Sequence, residues 1–291
     1  MGFLPFLWPR FNVILWLFLL VLGMSGKGLR IVVLIKQVPD IEKVRFDVET
    51  GRIDRSSAPA ETNPFDLHAL EAAVQLKEKL GGSITVISMG PRQAESSLRD
   101  ALARGADRAI LLTDKRLAGA DTIATSRALA AAIRKLGGFD LILCGEKTVD
   151  GDTGQVGPEV AEVLDIPHVA YVCEIREVAD DKITVVSDMG DKYLYEVKLP
   201  ALLTVTRELN TPRLPTLRDV LKARKKQIEI WDADALAQYE DPDRFGIKGS
   251  KTIVMKVVIP GVEHRKGIIF RGEDAAEKLL EVLKEGGFVK P

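Results

Sequence analysis

One short run of the chain combines two carboxylates, a hydroxyl, an amide and two glycines: Asp150, Gly151, Asp152, Thr153, Gly154 and Gln155. Glycines let a ligand approach the backbone closely, and small hydroxyl and amide side chains hydrogen-bond to phosphate or ribose. The two aspartates could also suggest a metal, but no cluster of further ligands accompanies them in the sequence. The run therefore predicts a loop that caps a helix or contacts a nucleotide.

Two other segments have the composition of helix starts that could face an anion. In Asn63-Pro64-Phe65-Asp66, the asparagine suits the capping position and the proline suits the first turn. In residues 119–125, Asp121 suits the cap, and the hydroxyls of Thr122 and Thr125 lie three residues apart on the first turn. Capping alone explains both segments. The functional interpretation adds that the free first-turn amides face a phosphate.

Self-contained catalysis is not indicated by any motif. No G-x-G-x-x-G follows the first strand, no G-x-S-x-G is present, and Lys147-Thr148 follows Glu146 where a P-loop requires glycine. His68 and His168 lack a partnered nucleophile, so we interpret both as structural. Any chemistry must then come from a bound cofactor.

The elements that would position these segments alternate between strands and helices. Apolar runs at 31–35, 84–87, 109–112 and 141–143 predict buried strands, and the segments between them predict helices at 67–79, up to about 104, at 121–135 and from about 154. Strands without in/out alternation are covered on both faces. The sequence therefore predicts an α/β fold with a doubly wound, mostly parallel, Rossmann-like sheet, which binds ligands outside the carboxyl ends of its strands.

The later part of the chain has a different pattern of predicted secondary structure. Residues 169–176, 183–187, 193–197 and 202–206 predict a β-rich region, and the proline-bounded residues 210–216 cannot form a regular helix. Residues 236–262 have little periodicity, and a short helix is predicted at 274–285. We expect three parts: an N-terminal extension at 1–26, a nucleotide-binding domain at 27–235, and a C-terminal arm at 236–291 that packs on a partner subunit.

Composition excludes several classes of protein. The net charge of −1 gives no global basic field, so we expect no nucleic acid partner. Two cysteines and three histidines exclude a disulfide scaffold and argue against a Cys/His metal site. A reducing, cytoplasmic location fits this cysteine content.

The apolar residues 11–22 conflict with that location and allow three interpretations. They could be a signal-peptide core, but only Arg10 precedes them as a positive charge and no cleavage site follows. They could be a membrane anchor, although a span needs about 20 residues. We favour a misassigned start, with translation from Met24, over the anchor.

The motifs taken together carry a family resemblance. Residues 35–40, 63–66, 89–91 and 150–158 occur in the order and spacing that closely resemble the electron transfer flavoprotein beta subunits, over about residues 29–235. The resemblance implies an adenine nucleotide site. The residues implied to bind it are Leu34, Lys36, Asn63, Pro64, Phe65, Asp66, Met89, Gly145, Asp150, Gly151, Asp152, Thr153, Gly154 and Gln155.

The resemblance also implies protein partners. An alpha subunit would complete an obligate heterodimer, and an acyl-CoA dehydrogenase-type flavoprotein would dock on a recognition loop. The matching positions here are Arg213, Leu217, Lys222 and Lys225, with Leu217 as the apolar anchor and the basic residues steering the encounter. The competing interpretation is an ordinary solvated helix face.

Two branches of this family differ in the nucleotide of the beta subunit: structural AMP, or a second FAD that takes a hydride from NADH in electron bifurcation. Residues 119–125, Asp66 and residues 246–289 look like the bifurcating branch, where Asp121, Thr122 and Thr125 would contact the flavin and ferredoxin or flavodoxin would accept low-potential electrons. Glu146-Lys147-Thr148 departs from the family's basic-Gln-Ala sequence. A universal-stress-type nucleotide-binding protein is the alternative from another class.

Overall fold

The computed structural model describes residues 28–40, 43, 45–47, 52–54, 59–253, 255 and 267–289. The chain divides into a larger unit of residues 1–45 and 53–255 and a smaller unit of residues 46–52 and 256–291. The apolar residues 11–22 and the start at Met24 lie outside the described residues. Within the described ranges, no helix has both the length and the apolar character needed to cross a membrane.

Nine of the strands form one sheet. The strands are β1 (Leu29–Leu34), β2 (Gln37–Pro39), β3 (Arg45–Asp47), β4 (Arg52–Asp54), β5 (Ala60–Thr62), β6 (Gly82–Met89), β7 (Arg108–Leu112), β8 (Leu141–Gly145), β9 (His168–Val178), β10 (Lys182–Asp188), β11 (Lys192–Lys198), β12 (Ala201–Val205) and β13 (Ile228–Trp231). The order in the sheet is β11-β10-β9-β12-β8-β1-β6-β7-β13. In this order, the seven strands from β9 to β13 all pair in parallel with their neighbours. The strand β10 pairs antiparallel with β9 and with β11. Small two-stranded sheets join β2 with β5 and β3 with β4.

Eight helices are described. They are α1 (Pro64–Leu80), α2 (Glu95–Arg104), α3 (Thr122–Leu136), α4 (Val156–Leu164), α5 (Leu217–Lys225), α6 (Ala233–Leu236), α7 (Gly246–Gly249) and α8 (Ala275–Glu285). One buried cluster contains side chains of α1, α2 and one face of the sheet, and a second contains α3, α4, α6 and the other face. Helices therefore cover both faces, and the predicted doubly wound α/β fold is confirmed.

The predicted β-rich character of the later part of the chain is also confirmed. The four predicted β segments are β9, β10, β11 and β12, and residues 210–216 contain no helix. The predicted arm helix is α8, which belongs to the smaller unit. The edge strand β13 was not predicted, because its four residues follow a basic helix and give too short a pattern to recognise.

Candidate functional site

The topology creates a crevice between β1 and β8. From β1 the chain proceeds through α1 to β6 on one side, and from β7 it crosses through α3 to β8 on the other side. Neighbouring strands whose connections diverge in this way leave a crevice at their carboxyl ends. The predicted site residues Leu34 and Gly145 are the last residues of these two strands. We call this edge the β1/β8 rim.

Asp66 joins the two sides of the rim. Its carboxylate accepts hydrogen bonds from the backbone amide of Lys36 at 2.8 Å and from that of Gly145 at 3.0 Å. The side chain is buried, with an exposed fraction of 4%. Both amides are donors at the ends of the parallel strands, and each finds its acceptor in this carboxylate. The first turn of α1 therefore ties β1 to β8.

Gly145 is the residue that allows this close approach. A Cβ at position 145 would lie 2.5 Å from the Cβ of Phe65 and 2.7 Å from Oδ1 of Asp66. No ordinary side chain fits at that distance, so only glycine lets the first turn of α1 contact the end of β8. The sequence pointed to this glycine through the family resemblance, and the structure supplies a packing reason for it.

Asn63 does not cap α1 through its side chain, which corrects the expectation from its sequence position. The side-chain amide instead donates to the carbonyl of Lys147 at 2.9 Å, and its oxygen accepts from the amide of Val149 at 3.2 Å. These bonds hold the loop after β8 against the start of α1. Pro64 does occupy the first turn, as predicted.

The loop at 150–155 lies beside this junction. Nζ of Lys36 lies 2.7 Å from Oδ1 of Asp150, and Nζ of Lys147 lies 2.8 Å from Oδ1 of Asp152. The backbone takes positive φ at Asp152 and at Gly154, so the loop turns sharply before α4 begins at Val156. The predicted rim residues Gly151, Asp152, Thr153 and Gln155 are exposed, and Met89, at the end of β6, is half-buried.

The first turn of α3 reaches the same loop. Oγ1 of Thr122 lies 3.3 Å from Oε1 of Gln155 and 3.0 Å from Oε1 of Glu159. Asp121 is the side-chain cap of α3, as predicted, and accepts from the amide of Ala124 at 2.9 Å. Burial alone would raise the pKa of Asp121, but its hydrogen bonds from backbone amides and from a threonine hydroxyl outweigh burial and hold the pKa below its ordinary value. Thr125 is half-buried on the same turn.

A pocket of about 840 Å³ opens next to the rim, at the carboxyl ends of β8 and β12. The guanidinium of Arg207 lies 4.4 Å from the centre of the Phe65 ring, and Nζ of Lys147 lies 5.8 Å from it. Sequence reasoning did not single out Arg207, which no motif marks. The pocket is lined by Phe65, Glu146, Lys147, Val149, Asp152, Asp188, Thr206, Arg207 and Glu208.

The predicted recognition residues lie elsewhere, around α5. Leu217 is the first residue of α5 and is 77% exposed, and Lys222 and Lys225 are exposed on the same helix. Arg213 is engaged within the chain, because its guanidinium pairs with carboxylates of Glu71 and Glu78 on α1. A role for Arg213 in partner recognition stays a prediction.

Asp66 should make stability depend on pH. Burial raises the pKa of this carboxyl to about 7, although hydrogen bonds and Lys36 oppose the shift. An unfolded aspartate titrates near 3.9. Between about pH 4 and about pH 7 the folded protein therefore holds a proton that the unfolded chain has released, so the contribution of Asp66 to stability falls as pH rises.

The check is denaturant unfolding across this pH range for the wild type and Asp66→Asn. We expect the wild-type free energy of unfolding to fall with rising pH relative to that of the variant, which cannot titrate at this position. Parallel pH profiles for the two proteins would contradict the assignment.

Comparison with known proteins identifies the family. A family model described as Electron transfer flavoprotein domain matches residues 50–236. The chain is 48% identical over 259 residues to an electron transfer flavoprotein subunit beta of Thermoanaerobacterium thermosaccharolyticum, covering 88% of this chain and 98% of that protein. It is 41% identical to protein FixA of Bradyrhizobium diazoefficiens, covering 87% and 90%. It is 43% identical to caffeyl-CoA reductase-Etf complex subunit CarD of Acetobacterium woodii, covering 88% and 98%.

Proposed function

The chain belongs to the electron transfer flavoprotein family, among its beta subunits, and from this membership we propose that the β1/β8 rim binds the adenine nucleotide part of FAD. The observation that carries the proposal is the pair of hydrogen bonds from the amides of Lys36 and Gly145 to Asp66. They bring the ends of two strands and the start of α1 together at the crevice where nucleotides bind in such sheets. The ion pair between Lys36 and Asp150 holds the loop at 150–155 beside them.

The residues at the rim suit a phosphate-bearing ligand. Thr153 and Gln155 are exposed and offer hydroxyl and amide donors, and the starts of α3 and α4 meet at this loop. Lys36 and Lys147 already pair with Asp150 and Asp152. We therefore propose that neutral donors, and not unpaired lysines, contact the phosphates.

We propose FAD over AMP as the ligand, and NADH as the electron donor. When bound, FAD supplies the redox chemistry that no side chain of this chain provides. The similarity to FixA and CarD supports this choice, together with the sequence at 119–125. The chain's own residues would bind and orient the nucleotide. AMP at the same rim, in a non-bifurcating protein, is the alternative.

Cofactor extraction tests the proposal. The chain is co-expressed with its alpha subunit, the heterodimer is purified, and the released nucleotides are quantified by chromatography and absorbance. We expect two FAD molecules per heterodimer. One FAD with one AMP would assign the alternative, and a heterodimer with one flavin and no second nucleotide would contradict nucleotide binding at the rim.

Partners follow from the same membership. We propose an obligate heterodimer with an electron transfer flavoprotein alpha subunit. Within the C-terminal arm at 236–291, Leu236 and Phe245 are buried in this chain's own core, so we propose that the part after residue 252 packs on the alpha subunit. An acyl-CoA dehydrogenase-type flavoprotein would receive electrons, and ferredoxin or flavodoxin would be the low-potential acceptor. The helix α8 suits a docking role because its apolar Leu279 and Leu280 are 48% and 44% exposed.

Leu217→Ala should impair electron delivery to the dehydrogenase without disturbing the fold. Leu217 is 77% exposed at the start of α5, so its removal leaves no cavity. An apolar anchor at the centre of an interface contributes about 2 kcal/mol, so we expect about a 30-fold weaker interaction. The measurement is the rate of dehydrogenase reduction against partner concentration.

Leu221→Ala is the matched control, because Leu221 lies one turn further along α5 and is 49% exposed. We expect less than about a threefold effect there. Equal losses in both variants would show that the recognition surface does not centre on Leu217.

A further inference from the structure

A segment near the C-terminus lies on the loop that leads into α3. We call residues 245–252 the strap; all of them belong to the larger unit. The amide of Ile247 donates to the carbonyl of Ala118 at 3.2 Å, and Phe245 is fully buried. A Cβ at Gly119 would lie 2.4 Å from Cγ1 of Ile247. Gly119 therefore leaves room for the strap, a packing role that needs no ligand.

Asp121 connects the strap to α3. One carboxylate oxygen accepts the capping bond from Ala124. The other accepts from the amide of Lys251 at 2.6 Å, from the amide of Thr252 at 3.0 Å and from the hydroxyl of Thr252 at 3.2 Å. The backbone amide of Asp121 donates to Oγ of Ser250 at 2.9 Å. Asp121 thus bonds both to the first turn of its own helix and to strap residues that lie 129 to 131 positions away in the chain.

The same helix turn is linked to the nucleotide loop on its other side. Glu159 of α4 accepts from the hydroxyl of Thr122 through Oε1 at 3.0 Å and from that of Ser126 through Oε2 at 3.1 Å. Thr122 also reaches Gln155, at the end of the loop. The first turn of α3 is therefore held between the strap and the start of α4.

We infer that Asp121 is a positioning residue, through which the strap holds the first turn of α3 in place for the nucleotide rim. Both carboxylate oxygens of Asp121 are used within the chain. This assigns Asp121 to a different task from the direct flavin contact that the family resemblance implies. The coupling to the nucleotide rests on the proposed function; the attachment of the strap does not.

Three variants separate these roles in the purified heterodimer. Asp121→Ser keeps a capping hydroxyl for α3 and removes the acceptor of the strap. Ser250→Ala with Thr252→Val removes two contacts with Asp121, and one within the strap from Ser250 to the carbonyl of Gly246, and leaves Asp121 intact. Asp232→Ser is the matched control, because Asp232 caps α6 through the amide of Ala235 at 2.8 Å.

Two readouts are measured: hydrogen exchange of the Lys251 and Thr252 amides, and the rate of FAD release. For Asp121→Ser we expect both to rise about tenfold, as the loss of hydrogen bonds to a carboxylate predicts. For the strap double variant we expect about a threefold rise in both. Combining the variants should give less than the product of their effects, and Asp232→Ser should change neither readout.

Faster FAD release in Asp121→Ser with unchanged exchange at 251 and 252 would overturn the inference, because the carboxylate would then act on the ligand directly. Faster exchange in the strap variant with unchanged FAD release would overturn the coupling. If the wild-type rim binds no nucleotide, the proposed function fails, while the exchange data still decide whether Asp121 attaches the strap.

Discussion

Asp66→Ala is expected to lower the free energy of unfolding by about 2–4 kcal/mol and to abolish nucleotide retention. The substitution leaves the amides of Lys36 and Gly145 without their acceptor in a site where Asp66 is 4% exposed. Each buried amide without a partner costs about 1–3 kcal/mol. The two strand ends also lose the group that joins them, so the rim loses its shape. The measurements are denaturant unfolding and FAD content.

Asp140→Ala is the control for this effect. Asp140 lies at the opposite end of the same two strands, where it accepts from the backbone amide of Arg30 at 2.8 Å and pairs with its guanidinium. Its side chain is 28% exposed, so water can replace part of the loss. We expect a smaller destabilisation and unchanged FAD content. Equal FAD loss in both variants would mean that Asp66 acts only through general stability.

Gly145→Ala is expected to destabilise the protein by about 1–3 kcal/mol and to weaken nucleotide binding at least tenfold. The new methyl carbon would lie 2.5 Å from Cβ of Phe65 and 2.8 Å from its carbonyl carbon, and neither atom is the flexible end of a side chain. The start of α1 must therefore move away from β8, which lengthens the bond from Gly145 to Asp66. Thermal unfolding and titration with FAD measure the two effects.

Gly267→Ala provides the comparison, because a Cβ at that position meets no atom within 4 Å. We expect no loss of FAD affinity there and a change in stability within about 0.5 kcal/mol. If Gly145→Ala bound FAD as tightly as the wild type, the close approach of α1 to β8 would be irrelevant to the site.

The central strands were predictable because both of their faces are covered. A strand between two layers of helices has no polar side, so β1, β7 and β8 appear in the sequence as apolar runs, and β6 as an apolar segment that Thr85 interrupts. The strand β13 was missed since its four residues at the sheet edge carry no such signal. The start of α3 was predictable from local capping chemistry, because Asp121 caps it through a residue three positions away.

The exact tasks of the site residues were less accessible to sequence reasoning. Asn63 has the ideal type for a cap, yet its side chain bonds to a loop 84 to 86 positions away. Asp121 does cap, but its second oxygen serves the strap 130 and 131 positions away. Such partners are brought together by topology, and a local pattern does not contain them. The contact between the guanidinium of Arg207 and the ring of Phe65 is likewise a product of topology, between residues far apart in the chain.

Hydrogen exchange of the heterodimer with and without FAD shows whether the nucleotide binds at the β1/β8 rim. FAD should slow exchange of the backbone amides at residues 34–37 and 145–156 in the beta chain, with little change at residues 213–225 around α5. Protection confined to other segments, with the amides of Lys36 and Gly145 unaffected, would show that the nucleotide does not bind at the β1/β8 rim.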